Sequence, residues 1–393
     1  MDITIKTKSL TALLLTCAVL FGGCAKGNED VPSSSVPSGT PVIVTTQTGT
    51  DDTPVVIREK NPTHERPEVT PNGDVVILVT GDTHSGIDKG FGYGGVYEVR
   101  YQMELKGDTV LLVDTGDAIQ GSPIGFDTKG TAVIDLMNDC GYDIAIPGVR
   151  EFHYGMENFL NLANRANFDY ISCNFVRDGK TVFRPYIIKE VCGRKIAFVG
   201  ISTPKALTQE PAEFFQDGNG NYIYGFMQDE KGEAIVQAVQ QSIDNARAEG
   251  ADYVILMGHL GSEMEAAPWN YMSITLRVKG YDAYFDGYSH DLKSEDIIDS
   301  TGKTIKRISP GSNMNGLGWV RISAKNGALT AGLYSWQDKI TPTELFDIEN
   351  PMTKKVRAAK KMYGVTDDCI SRHKSHVRYR SDRDIAFIES YSV

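Results

Sequence analysis

From Val75 onward the chain alternates short apolar runs with longer amphipathic ones. Val75-Val76-Ile77-Leu78-Val79 is continuous and mostly β-branched, the pattern of a strand buried on both faces. Similar runs at 109–113, 144–146, 170–175, 253–257 and 283–285 predict further strands. Helical periodicity fills the intervals at 96–106, 131–140, 156–166, 233–249 and around 270–278, with Gly141 and Gly250 as stops. Segments 186–191 and 195–201 flank Cys192-Gly193 and predict a hairpin. Residues 205–232 are rich in Gly, Asn, Asp and aromatics and read as a long surface excursion. Beyond Phe285 the pattern is strands only, with 320–324 and 329–335 around the turn Lys325-Asn326-Gly327, until a Lys- and Ala-rich helix at 350–363. Strand–helix alternation with a β-rich end predicts an α/β (mixed α+β) fold.

The N-terminus has a different character. Lys6 and Lys8 precede an apolar run, 10–21, too short to span a bilayer. It ends in Gly22-Gly23-Cys24, which resembles a bacterial lipoprotein cleavage site, with Cys24 the lipidated residue and 1–23 a signal peptide. Phe21 is a less usual residue there, and an ordinary signal peptide cut nearby is the other reading. Either way the chain is expected to be exported: lipid-anchored at the outer face of the bacterial cell membrane or in the periplasm. Residues 24–72 are rich in Pro, Ser, Thr and Asp, a disordered tether in which His64 is a solvated bystander.

Composition narrows the partners. The chain has 393 residues, net charge −11 and a pI of about 5.2, so it repels nucleic acid, and no nucleic-acid partner is expected. Of six Cys, signal cleavage removes Cys17, and Cys140, Cys173, Cys192 and Cys369 show no C-x-x-C spacing that would bind zinc. Cys140 and Cys173 read as free, buried small hydrophobes. Gly90-Phe-Gly-Tyr-Gly-Gly95 matches G-x-G-x-x-G, but it does not directly follow a strand and reads as a flexible loop entering a helix.

Five polar stretches each close a predicted strand: Gly81-Asp82-Thr83-His84, Asp114-Thr115-Gly116-Asp117, Pro147 to Gly155, Gly258-His259, and Asp286-Gly287-Tyr288-Ser289-His290. Taken singly they are weak; a lone His259 is more often a satisfied core histidine. In this order they resemble the motif set of the calcineurin-like metallophosphoesterases, most closely the bacterial 5'-nucleotidase family. Ala118-Ile119-Gln120-Gly121-Ser122-Pro123 and Gly200-Ile201-Ser202-Thr203-Pro204 add family-like text. The resemblance implies two β-sheets packed face to face with helices on both outer faces, over about 75–345. It sets a phosphoesterase domain at 73–345 and leaves 346–393 as a helix and tail, without the family's C-terminal nucleotidase domain.

The resemblance also implies a two-metal site. Asp82, His84 and His290 match ligands of the first metal, Asp117 the bridging carboxylate and His259 a ligand of the second. The family's Asn ligand has become Val149 and another imidazole Tyr288. The catalytic His has become Arg150, and the Asp that orients it His153; Glu151 and Phe152 are retained. Arginine does not give up its proton, so Arg150 cannot be a general acid, though it could bind phosphate as a fixed cation. One divalent ion is expected where the family holds two; Mn, Zn, Fe and Ca are not distinguished. The expected partner is a phosphorylated small molecule such as a nucleotide, with membrane contact through the lipid anchor only.

Two functions follow: an exported phosphate-monoester hydrolase of impaired activity, or an inactive surface lipoprotein that binds a phosphorylated ligand through one metal and Arg150. Trp269, Tyr271 and Tyr281 read as helix packing, with a base-stacking platform as the alternative. His373 and His376 read as part of the tail.

Overall fold

The computed structural model describes residues 66–336 and 349–364. The readings made on Cys24, the tether with His64, and the tail with His373 and His376 lie outside these residues.

In chain order the strands are β1 (Val75–Thr80), β2 (Thr109–Asp114), β3 (Ile144–Ala145), β4 (Asp169–Tyr170), β5 (Val176–Arg177), β6 (Lys180–Thr181), β7 (Tyr186–Val191), β8 (Arg194–Ile201) and β9 (Tyr224–Gly225). They continue with β10 (Tyr253–Gly258), β11 (Ala283–Asp286), β12 (Leu292–Ile298), β13 (Thr304–Pro310), β14 (Gly316–Ile322) and β15 (Leu329–Ser335). The helices are α1 (Gly92–Leu105), α2 (Pro123–Thr128), α3 (Thr131–Cys140), α4 (Met156–Arg165), α5 (Ala206–Gln209), α6 (Glu233–Ala248), α7 (Tyr271–Thr275) and α8 (Pro351–Met362).

Two six-stranded sheets form, ordered β15-β14-β1-β2-β3-β4 and β12-β13-β11-β10-β8-β7, with a small β6-β5-β9 sheet beside them. β1 to β4 run parallel, as do β8, β10, β11 and β13; β14, β15, β12 and β7 join by antiparallel pairs. Between the two large sheets lies one apolar layer. Val75, Ile77, Val79, Leu111 and Val113 meet Ile196, Phe198, Ile255, Met257, Phe285 and Ile308 there. The alternate residues Val76 and Leu78 face a second cluster with Val96, Ile134 and Phe159 from α1, α3 and α4. On the far side Val254 and Leu256 face Val239, Ile243 and Ile274 from α6 and α7. The continuous β-branched runs are thus explained: central strands are covered on both faces. The expected sandwich with helices outside both sheets is what forms.

Four details differ from the sequence reading. Helix α1 begins at Gly92, inside the glycine-rich run, because those glycines serve close packing and not looseness. A Cβ at Gly94 would lie 2.4 Å from Thr353 Oγ1, and one at Gly90 2.1 Å from the Met314 carbonyl oxygen. The strand expected at 170–175 is only Asp169–Tyr170 plus one bridge at Ile171. Ser172 and Asn174 turn the chain, and the buried Asn174 amide donates to the carbonyls of Ser202 and Phe226. Segment 205–232 is not merely a surface excursion, since Phe215 and Phe226 are fully buried against Phe152. Finally, α8 packs into the fold: Met352 and Val356 join the α1 cluster, and Asn350 caps α8 while donating to the Gly94 carbonyl.

Candidate metal centre

The strand ends are in register. Thr80 pairs with Asp114, Asp114 with Ala145, and Gly258 with Asp286. The loops that follow β1, β2, β3, β10 and β11 therefore open at one edge of the sandwich, where ligands of such sheets are bound. Backbone bonds stitch these loops together: Asp82 N–H donates to Gly116 O, His84 N–H to Asp117 O, and Gly287 N–H to Gly258 O.

Asp82, His84, Asp117 and His290 all have left-handed backbones, with φ between +48° and +57°. For non-glycine residues that is a strained choice, typical of positions where a side chain must be aimed. Gly148 shows how tight the packing is, since a Cβ there would lie 2.4 Å from Asp117 Oδ1.

His84 Nε2 and His290 Nε2 face each other at 3.0 Å, and His290 Nε2 lies 3.6 Å from Asp82 Oδ1. His84 Nδ1 is 3.1 Å from the Gln120 carbonyl, so Nδ1 carries the proton and Nε2 presents its lone pair inward. His259 is also turned inward. Its Nδ1 is 2.7 Å from the Thr115 carbonyl, and its Nε2 points at Asp117 Oδ1 (3.3 Å) and Asp82 Oδ1 (4.0 Å). The Asp117 approach is poorly aligned, and His259 Nε2 is buried without a hydrogen-bond partner. An orphaned, inward-facing imidazole nitrogen beside two buried carboxylates is what a divalent-ion site presents, so the residues fit such an ion.

The donor atoms form two groups, Asp82–His84–His290 and Asp82–Asp117–His259, each within 4.8 Å. Asp82 contributes to both groups and Asp117 to the second, where Asp117 Oδ1 also accepts the Arg150 backbone N–H at 2.6 Å.

Electrostatics separate the groups. Burial lowers the His84 and His290 imidazoles below their ordinary value, so both are neutral near pH 7. Burial also works to lower His259, but Asp117 and Asp82 outweigh it and push the imidazole up to about 10. Burial holds the Asp82 carboxyl well above the carboxylate range, with His259 pulling the other way.

The substituted positions are also gathered here. Val149 is buried in apolar surroundings and offers no donor. The Tyr288 hydroxyl accepts from Gln209 Nε2 at 2.7 Å, while its backbone N–H donates to the Asp82 carboxylate. Arg150 Nη1 donates to Glu210 Oε1 at 2.7 Å, and His153 Nδ1 lies 3.1 Å from Glu210 Oε2.

Three supports escaped the sequence reading. Glu151 accepts the backbone N–H groups of Asp117, Ala118 and Gly148. Asp286 is held by Arg307. Glu151 and Asp286 lay inside the polar stretches, and a buried carboxylate in a strand-end loop was signal enough to ask what it binds. Glu210, 60 residues from Arg150, had no local signal. Trp269, Tyr271 and Tyr281 pack in the α6–α7 cluster, and Tyr281 is fully buried, which fits helix packing and not a base platform.

A two-sheet sandwich with carboxylates and imidazoles converging from parallel strand ends defines a metallophosphoesterase fold. The sequence matches the family described as Calcineurin-like phosphoesterase over residues 75–292. The chain belongs to that family, whose members use divalent metals. It is 27% identical over 267 residues to the trifunctional nucleotide phosphoesterase protein YfkN of Bacillus subtilis, covering 59% of this chain and 17% of that protein. It is also 27% identical to a 2',3'-cyclic-nucleotide 2'-phosphodiesterase/3'-nucleotidase of Salmonella typhimurium, covering 65% of this chain and 42% of the relative. The chain thus spans less than half the length of these curated relatives. Among solved structures, a 5'-nucleotidase precursor of Thermus thermophilus superposes with a TM-score of 0.60 at 18% identity, over 74% of this chain and 59% of that one.

Proposed function

We propose that this chain is an exported, lipid-anchored phosphate-monoester hydrolase of 5'-nucleotidase type that works with one divalent ion and turns over weakly. The carrying observation is the asymmetry between the two donor groups. In Asp82–His84–His290 both imidazoles are neutral and one is pinned with its lone pair inward. In Asp82–Asp117–His259 the imidazole holds a proton, Val149 offers no donor, and the Tyr288 hydroxyl is turned to Gln209.

A divalent ion in the first group would polarise a phosphate oxygen and supply a hydroxide at neutral pH. The chain's own residues do the rest. With no ion bound, His259 beside Asp117 carries a proton that a second ion would have to displace. Arg150 is a fixed charge for phosphate oxygens, but it does not replace the family's general acid well. The nucleotide names of the relatives support a nucleotide-like substrate.

Two measurements test this. Metal analysis of the purified protein should give about one tightly held divalent ion per chain, and two would sink the one-ion reading. Hydrolysis of a small aryl phosphate with manganese is compared with a revertant carrying Val149→Asn, Arg150→His, His153→Asp and Tyr288→His. Rates far below the revertant's support impairment; equal rates refute it.

One observation favours the alternative of an inactive phosphate-binding lipoprotein. Arg150, His153 and Tyr288 are each tied to Gln209 or Glu210, which gives a built arrangement instead of loose substitutions. A metal-loaded chain that binds phosphate yet shows no hydrolysis above background decides for it.

A further inference from the structure

The substitutions that remove the family's acid and one imidazole are not scattered in the structure. Three of them converge on two adjacent residues at the end of the four-residue helix α5. Gln209 Nε2 donates to the Tyr288 hydroxyl at 2.7 Å. Glu210 accepts from Arg150 Nη1 at 2.7 Å through Oε1 and meets His153 Nδ1 at 3.1 Å through Oε2. The Glu210 side chain is 2% exposed, whereas Arg150 and His153 are 33% and 36% exposed. The carboxylate therefore lies beneath, and the two side chains reach outward from it.

Arg150's orientation depends on this contact. Among the described residues, its side chain has a hydrogen bond only to Glu210. Its backbone N–H donates to Asp117 Oδ1 at 2.6 Å, so the residue stands at the edge of the candidate metal centre. A guanidinium held through one Nη1 keeps its other N–H groups for a phosphate, and a pre-oriented fork loses less freedom on binding than a free one.

We propose that Glu210 is a positioning residue: its buried carboxylate fixes the Arg150 guanidinium as the clamp for phosphate oxygens at the metal centre. This rests on the reading of Arg150 as a phosphate cation given above. Glu210 touches no reacting atom and acts through Arg150. Its reach, and not its charge, is what matters, because a nearby carboxylate by itself repels phosphate.

The test separates reach from charge. Inorganic phosphate is titrated calorimetrically into the full-length, metal-loaded protein and three variants. Glu210→Asp keeps the charge and withdraws the oxygens by one methylene. Glu210→Gln keeps the acceptor oxygen at its place and removes the charge. Arg150→Ala removes the clamp. The expected result is that Glu210→Asp weakens phosphate binding about tenfold while Glu210→Gln stays within about threefold of the natural chain. A Glu210→Gln variant that binds more tightly, with Glu210→Asp unchanged, overturns the proposal, since Glu210 would then only subtract charge. So does no change in either. If Glu210→Asp does not fold, the Arg150 Nε–H resonance in Glu210→Gln decides: retained dispersion and phosphate response support positioning, and their loss overturns it. If Arg150→Ala leaves affinity unchanged, the reading of Arg150 itself fails. If it weakens binding and the Glu210 variants do not, only the role of Glu210 fails.

Discussion

The Nε2 atoms of His84 and His290 face each other at 3.0 Å across 206 positions of sequence. The first follows β1 in one sheet and the second follows β11 in the other, so the pair spans the seam of the sandwich. Two neutral imidazoles can share only one proton between such nitrogens, and a shared divalent ion satisfies both lone pairs. His84→Asn and His290→Asn should each weaken divalent-ion binding by at least about tenfold. A competitive chelator titration reads this directly. The fold should persist, because the His290 side chain is half-exposed and neither ring lies in an apolar layer.

Glu151 is the support beneath the site. It is fully buried, and its two oxygens accept three backbone N–H groups at 2.7–2.9 Å. Glu151→Ala leaves those three donors unpaired away from water. A loss of about 3–5 kcal/mol in unfolding free energy is expected, read from the denaturant midpoint. Metal affinity should fall with it, since Asp117 is one of the residues so held. Glu151→Gln, whose amide oxygen still accepts, should lose roughly half as much.

Arg307 holds the other side. It is 1% exposed on β13 and bonds Asp286 through Nε (3.1 Å) and Nη2 (2.7 Å), Asp291 at 3.0 Å and Glu295 at 2.5 Å. Its guanidinium also lies 4.1 Å from the Tyr271 ring centroid. Arg307→Met preserves volume but strands the Asp286 charge, and about 3–5 kcal/mol of stability should be lost in chemical denaturation. Asp286 begins the loop that carries Tyr288 and His290, so metal binding should weaken in parallel. A variant of full stability would mean that Asp286 is protonated and needs no partner.

The strands were legible because each carries enough apolar residues to be buried on both faces, as Val75 to Val79 does. The five candidate ligand residues stood out because each sits within a few residues of a strand end, and the fold brings them together. What sequence did not show depends on distance or on backbone. Glu210 meets Arg150 only because segment 205–232 folds inward on Phe215 and Phe226, which read as surface residues among many Gly and Asn. The left-handed backbones at Asp82 and Asp117, which aim their carboxylates among the imidazoles, are announced by no local pattern. The strand expected through Phe175 stopped early because Asn174 spends its side chain on the Ser202 and Phe226 carbonyls.

The protons held by the metal-free ligand set give metal binding a pH dependence. His259 is pushed up to about 10, so it carries a proton near neutrality, and burial raises the Asp82 carboxyl above the carboxylate range. A metal ligand must be deprotonated, so binding in the Asp82–Asp117–His259 group releases the His259 proton. Affinity there should rise as pH rises, by about tenfold per pH unit for each proton displaced, until His259 itself titrates. The His84 and His290 imidazoles are lowered and already neutral, so they add no such slope above neutral pH. From about pH 7 to about pH 9 the two imidazoles of the first group should therefore leave the first ion's affinity unaltered, and a second ion should appear only at the alkaline end. Calorimetry in buffers of different ionisation enthalpy counts the protons released per ion. A flat affinity for both ions across that range would show that His259 is neutral in the metal-free chain.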